Sequence, residues 1–328
     1  MAEISIFEDD AFSVTSLLAT INEEHQIPGQ IAASGLFTEE GSPTVTQQIE
    51  KDGDVLELVA AAPRGAPGQV VIGSKRQLIP FNCVHLPQTF SILADEIQGI
   101  RAFGNRSELQ GVQDVVNARL NKTRLQLDLT HEYQRIGAIK GQVLDKDGSI
   151  LVDLFHQFGI KQQKLKMDFG SVDVSVRAGE ALDMQEDALG NATGTGAIAW
   201  CGKNFWAALI SDDSVKETYV ATEAAASLRG DRRQGFEFAG VLWIRYRGKL
   251  AGVPFVGDDD AYLVPEGVPG LFKTVFAPAN YMETVNTLGV PYYGKLERMP
   301  FDKGVAGEAQ SNPLHMGSRP RGNIKLTR

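Results

Sequence analysis

Cysteine is nearly missing from this chain of 328 residues, which holds only Cys83 and Cys201. The two stand far apart, with no CxxC pair and no Cys/His ligand spacing, so a disulfide framework and a zinc site find no support. Both are expected as buried free thiols in a reducing compartment. Long apolar runs are missing too. No stretch approaches the roughly 18–20 uninterrupted apolar residues of a membrane helix. The opening residues, MAEISIFEDDAF, are acidic, where a secretory signal starts basic and then turns apolar. The expectation is a soluble protein that stays where it is made. Internal repeats and low-complexity tracts are absent as well. What remains is a globular composition, 43% apolar with mean hydropathy −0.15, on a chain long enough for two or three domains.

The net charge of −9 is spread unevenly. Residues 1–60 carry twelve carboxylates against one lysine, Lys51. Residues 61–140 carry ten Lys/Arg against six Asp/Glu, and the last fourteen residues carry Arg319, Arg321, Lys325 and Arg328 with no acid. An acidic N-terminal arm can therefore lie on basic surface of its own subunit or a neighbour's, because many weak pairs in register steer and orient association. The overall acidity argues against nucleic acid as the main partner.

Reach is the dominant organisational feature. Residues 1–35 carry one short helical pattern, FSVTSLLATINE, and are then broken by Pro28, Gly29 and Gly35, which reads as an arm without its own core. Residues 44–82 read as a long hairpin whose tip, PRGAPG, holds Pro63, Gly65, Pro67 and Gly68. Limbs of roughly ten to fifteen residues project about 30–50 Å, and two strands alone are marginal in water, so this hairpin needs a surface to lie on. Residues 107–140 read as one helix capped by Ser107 and Gln110, with Leu109, Val112, Val116, Leu120 and Leu127 near helical spacing, followed by Leu129, Tyr133, Ile136 and Ile139. At ~1.5 Å per residue it is ~50 Å long, against a radius of gyration near ~20 Å for a compact chain of this size. A hairpin turning on Asp147-Gly148 follows. VDVSVR at 172–177 reads as a strand, 203–228 as helical, and FEFAGVLWIRY at 236–246 as one half-buried strand. Strands and helices in no repeating βαβ order predict the α+β class.

Chemistry finds little support. Gly194-Thr195-Gly196-Ala197-Ile198-Ala199 fits a loose dinucleotide fingerprint without the preceding strand or the later acid that the chemistry needs. Asp145, Asp147 and Gly148 lack the third ligand and terminal glutamate of a calcium loop, and a hairpin turn explains them. Asp258-Asp259-Asp260 reads as a solvated loop. The histidines, His25, His85, His131, His156 and His315, form no HExxH, and there is no GxSxG elbow. A triad assembled in space is neither shown nor excluded by the sequence. Met167, Met184, Trp200, Trp206 and Trp243 read as core.

The C-terminal third carries a resemblance. Ala277-Pro278-Ala279, Glu283 to Gly289 (ETVNTLG), Pro291-Tyr292-Tyr293, Ser311-Asn312-Pro313-Leu314 and Arg319-Pro320 resemble the lambda-type major capsid protein family, the protein E family of tailed bacteriophages. Pro269 to Phe272, Tyr246-Arg247-Gly248 and Phe158-Gly159 add to the likeness, as does the order of arm, hairpin, long helix and mixed domain. It is weak before residue 100 and strong after 236. Gly294 stands where the pattern has alanine, and His315-Met316-Gly317 replaces a more apolar run.

The resemblance implies the tailed-phage capsid fold: an N-terminal arm over 1–35, an extended hairpin loop over 36–100, a peripheral domain with a spine helix over 101–174, an axial domain over 175–285 and a return to the peripheral domain over 286–328. It implies no catalytic, metal or cofactor residues and a chain that is not an enzyme. The implied function is self-assembly as pentamers and hexamers into the icosahedral head around double-stranded DNA. The implied partners are itself, scaffold, portal and a decoration protein, with DNA touched only weakly on the inner surface and no membrane. The implied location is the virion, after assembly in the host cytoplasm. Candidate subunit-interface residues are Glu50, Asp52, Asp54, Arg64, Lys75 and Arg76 on the hairpin, with Arg319 and Arg321 near the C-terminus. SNPLHMGSRPRGNIKL reads as a last peripheral strand beside the spine helix, with Leu314 and Met316 facing in, Ile324 and Leu326 continuing that face, and the two arginines able to pair with carboxylates. A nanocompartment shell of the same fold and an α+β metabolic enzyme are the competing readings.

Overall fold

The structure is a computed structural model that describes residues 13, 17, 29–51, 77–97, 108–190, 192, 194–216, 218–220, 235–250 and 252–328. The chain forms two compact units, one from residues 1–47, 82–134 and 273–315, the other from 48–81, 135–272 and 316–328. Helices and strands are mixed in both, as the α+β reading expects.

The first unit is built on the helix Glu108–Lys140, which supplies it with residues up to 134. Val112, Val116, Leu120 and Leu127 are buried on one stripe, spaced by four, four and seven residues as a helix face requires. With Leu17 and the strand residues Ile92, Val305 and Ala309, the first three of these form a core. Those strands belong to an antiparallel sheet ordered Tyr293–Arg298, Gly304–Ser311, Leu86–Leu93. Leu129, read as part of the stripe, is exposed instead. It lies two residues, about 200°, round the helix from Leu127. The buried face continues through His131, Glu132 and Gln134, which are polar. A second, three-stranded sheet places Thr38–Gly41 parallel to Phe272–Phe276, with Pro313–Gly317 on the other side.

The second unit holds a six-stranded mixed sheet in the order Lys164–Lys166, Ile324–Thr327, Asp260–Glu266, Gly196–Cys201, Val241–Arg245, Phe236–Phe238. Trp243, Phe205, Leu263, Leu326 and Met167 are among its buried core, so the tryptophan and methionine readings hold for Trp200, Trp243 and Met167. The hairpin at Asp147-Gly148 is present, with Gly148 at φ +85 in the turn between Gln142–Leu144 and Ile150–Asp153.

Two local readings are corrected here. VDVSVR is not a strand: Asp173 caps the helix Val174–Leu189 by accepting from Ser175 N at 2.8 Å, and Val174, Ala178, Ala181, Gln185 and Leu189 recur at helical spacing. The alternation of six residues was shorter than the helical period that follows it. Nor is 236–246 one strand. Ala239 and Gly240 take φ +51 and +76 and fold it into an antiparallel pair, Phe236–Phe238 with Val241–Arg245. Of the stretch 203–228, Lys203–Ser211 is helical as read.

Candidate functional site

Part of the segment that carries the resemblance, around Ser311 to His315, forms a buried polar framework in the first unit. Residues 311–317 are all buried. Asn312 lies between the strands Gly304–Ser311 and Pro313–Gly317, where proline pushes the preceding residue out of the helical region. Its Nδ2 donates to Pro278 O at 3.2 Å and to Gln310 Oε1 at 3.3 Å, while its Oδ1 is 2.7 Å from His85 Nδ1. The Asn312 carbonyl accepts from Ala277 N, and the Pro313 carbonyl from Val84 N. Ser311 Oγ donates to Pro291 O at 2.5 Å. One asparagine thus ties together the segments around residues 85, 278 and 310. Buried polar groups need such partners, or desolvation costs about 1–3 kcal/mol each.

Beside it, two imidazoles meet. His131 Nδ1 is 3.0 Å from His315 Nε2, and His315 Nδ1 is 2.9 Å from Thr274 Oγ1. Phe37 stands edge-on to His315, and Phe276 and Tyr292 edge-on to His131. Tyr292 OH donates to Asp128, and the Arg124 guanidinium lies 5.1 Å from the Tyr292 ring centroid. One turn along the same helix, buried Glu132 accepts from Ile31 N at 2.8 Å and Ala32 N at 3.2 Å. His131, His315 and Glu132 did not stand out in the sequence as a group. The usable signal was His315, a polar residue where the resemblance calls for an apolar one.

The interface candidates are placed unevenly. Glu50 belongs to the strand Thr46–Lys51, which pairs with Gln77–Asn82 as the base of the expected hairpin. Asp52, Asp54, Arg64, Lys75 and Arg76 lie outside the described residues, as do most of the arm, the Ser107 cap and residues 221–228. Leu314 and Met316 are buried as read. The reading of one strand over 311–326 is corrected: Pro313–Gly317 and Ile324–Thr327 are separate strands of two different sheets, parted by the 3-10 turn Pro320–Gly322. A proline at 320 cannot donate to a ladder, so the strand breaks there. Arg319 Nη1 donates to the Leu189 carbonyl at 2.6 Å, at the C-terminal end of the helix Val174–Leu189. Its partner within the chain is a carbonyl at the negative end of a helix dipole.

A cavity of about 610 Å³ in the second unit is lined by Lys166, Asp168, Asp173, Asp212, Asp213 and Arg328, among others. Three of its carboxylates, Asp168, Asp173 and Asp212, already have structural work. Lys166, then Arg177, hold Asp168 below the usual carboxylate range, and Ser175 does the same for Asp173. For Asp212, burial acts upward but is outweighed by bonds from Ser214 and Gly170 N. Among the described residues no group of three His, Cys, Asp or Glu side chains could hold a metal, and no helix is long and apolar enough to cross a membrane. Gly194 and Gly196 lead into the strand Gly196–Cys201, so they do not form the strand-to-helix turn of a dinucleotide fingerprint. Burial raises the thiol of Cys83 to about 11 and that of Cys201 further, which leaves both as inert free thiols.

Residues 13–328 match the family described as phage major capsid protein E. The major capsid protein of Salmonella phage Felix O1 is 25% identical, over 96% of this chain and 95% of its own. That of Pseudomonas phage KPP10 is 28% identical over 79% of this chain and 80% of its own. Among solved structures, a putative capsid protein of an E. coli CFT073 prophage aligns with TM-score 0.55 at 14% identity, covering 96% of this chain and 98% of that one. The capsid of Myoviridae phage XM1 aligns with TM-score 0.52 at 9% identity over 93% of each chain. By the match across nearly its whole length, this chain belongs to the phage major capsid protein E family.

Proposed function

We propose that copies of this chain assemble as pentamers and hexamers into the icosahedral head that encloses double-stranded phage DNA, and that the mechanism is binding without turnover. The observation that carries this is the family match over residues 13–328 joined to the capsid fold. It is supported by the strand pair Thr46–Lys51 with Gln77–Asn82, which stands at the base of the expected hairpin. Burial of about 1,000 Å² of apolar surface per subunit is worth roughly 25 kcal/mol before ordering costs, which offset most of it. Repeated over many contacts, the remainder holds a shell. Assembly takes place in the host cytoplasm with scaffold and portal as partners, a decoration protein binds outside, and DNA touches only the inner surface.

The test is negative-stain microscopy and size exclusion of the purified chain and of a variant lacking residues 55–75. The full chain is expected to give particles tens of nanometres wide, and the deletion soluble folded subunits or capsomers. A full chain that stays a small oligomer under all assembly conditions overturns the reading, and complete shells from the deletion overturn the role of the hairpin.

A further inference from the structure

The segment between Phe272–Phe276 and Tyr293–Arg298 turns three large apolar side chains to solvent. Met282 is 87% exposed, Val285 57% and Leu288 67%. They recur every third residue, while Thr284 and Gly289 between and after them are buried. The backbone beneath is pinned. Thr284 Oγ1 donates to Ala279 O at 2.8 Å and Tyr281 O at 3.0 Å, Thr287 Oγ1 donates to Thr284 O at 2.8 Å, and Gly289 N donates to Ser42 O at 3.0 Å. A side chain at Gly289 would put its Cβ 2.0 Å from Phe276 O. The exposure is therefore built into an anchored turn, and three large apolar side chains facing water on seven residues call for a cover.

We infer that this segment, Met282 to Leu288, is a contact between two copies of this chain, meeting segment to segment about a two-fold axis. Resting on the proposed shell function, it names one surface that the shell closes. Two observations select a second copy as the occupant. Glu283 and Lys295 form a 2.7 Å pair at the rim, and both are partly exposed. A rim with charges of both signs, Lys295 beside Glu283 and its cross-strand neighbour Glu308, is complementary to itself: across a two-fold, Lys295 of each copy can reach the other's Glu283. It has no excess of positive charge to draw nucleic acid or an anionic membrane. The area points the same way. The three side chains offer on the order of 300–400 Å² of apolar surface, against the ~800 Å² per partner of a stable isolated pair. Such a contact is too small to hold a dimer in solution and suits one repeated many times in a closed shell.

The experiment compares wild type, Leu288→Glu and Leu288→Cys, all full length, under the same assembly conditions. Leu288→Glu is expected to keep the circular dichroism and melting midpoint of the wild-type subunit and to lose at least about tenfold in particle yield, since one added charge per contact easily exceeds one decade of affinity. Leu288→Cys in a Cys83→Ser background is expected to run as a disulfide-linked dimer after oxidation of the particles, and as a monomer before assembly. Particles of normal yield from Leu288→Glu overturn the inference while leaving the shell reading intact, including the case in which only wild-type particles bind an accessory protein. Uncoupled Leu288→Cys inside assembled particles overturns the two-fold contact independently of how Leu288→Glu folds. Failure of wild type itself to assemble overturns the shell reading, and this inference with it.

Discussion

His131 and His315 share one hydrogen bond, 3.0 Å between Nδ1 and Nε2, although 184 residues separate them. The contact joins the long helix to the strand Pro313–Gly317, and both rings are 2% exposed. One nitrogen must donate and the other accept. With both rings protonated, two N–H groups would face each other. Thr274, whose hydroxyl can donate or accept, completes the chain in either direction.

Breaking the contact should loosen the first unit. His315→Gln is expected to cost about 1 kcal/mol in urea unfolding, because the buried His131 Nδ1 and Thr274 Oγ1 lose their shared ring partner. A wild-type urea midpoint for the variant would remove the pair as a source of stability.

Glu132 tethers the start of the described N-terminal segment. Glu132→Ala leaves the Ile31 and Ala32 N–H groups unsatisfied and is expected to cost about 2–3 kcal/mol in urea unfolding, with Glu132→Gln costing less because one oxygen can still accept. Gly29→Ala should also destabilise, since its Cβ would fall 2.1 Å from Glu132 Cδ. Wild-type midpoints for both alanine variants would show that this tether carries no stability.

Phe301 is a strained position on the surface. It sits at φ +63 with its ring 91% exposed, followed by Asp302 at φ +51. The left-handed region costs a residue with a bulky side chain roughly 1–2 kcal/mol, and asparagine less. Phe301→Asn also loses an exposed contact with Lys303, whose Nζ is 5.7 Å from the ring centroid. The net expectation is a gain of about 0.5–1 kcal/mol in subunit stability, read as a raised melting midpoint. A lowered midpoint would mean that the ring holds more than this structure shows.

Arg319→Ala removes the donor to the Leu189 carbonyl and is expected to cost about 1 kcal/mol without preventing folding. The guanidinium has further donors for a neighbouring subunit, so shell yield is expected to fall by more than that stability loss explains. Yield in step with wild type would confine Arg319 to its own subunit.

Much of this was legible in the sequence because it follows from local pattern. The run from Val112 to Leu127 announced the long helix, and Asp147-Gly148 announced a hairpin. The errors share a cause. Leu129 was grouped with the stripe by hydrophobicity although its angle faces water, and residues 236–246 alternate through a turn that Gly240 permits. The polar framework was the hardest part to see. Nothing in sequence spacing links His85 to Asn312, His131 to His315 or Glu132 to Ile31, since each pair meets only after the chain has folded. A histidine inside the apolar strand Pro313–Gly317 was the one local sign that a buried partner waited elsewhere.

The strand Ile324–Thr327 is paired on both sides, with Asp260–Glu266 and Lys164–Lys166. Those neighbours leave the ribosome long before it does. The six-stranded sheet of the second unit therefore waits, with an open slot, for a strand that is translated after the other five. Until that slot is filled, the second unit of the nascent chain is unfinished, whatever the first unit has already formed.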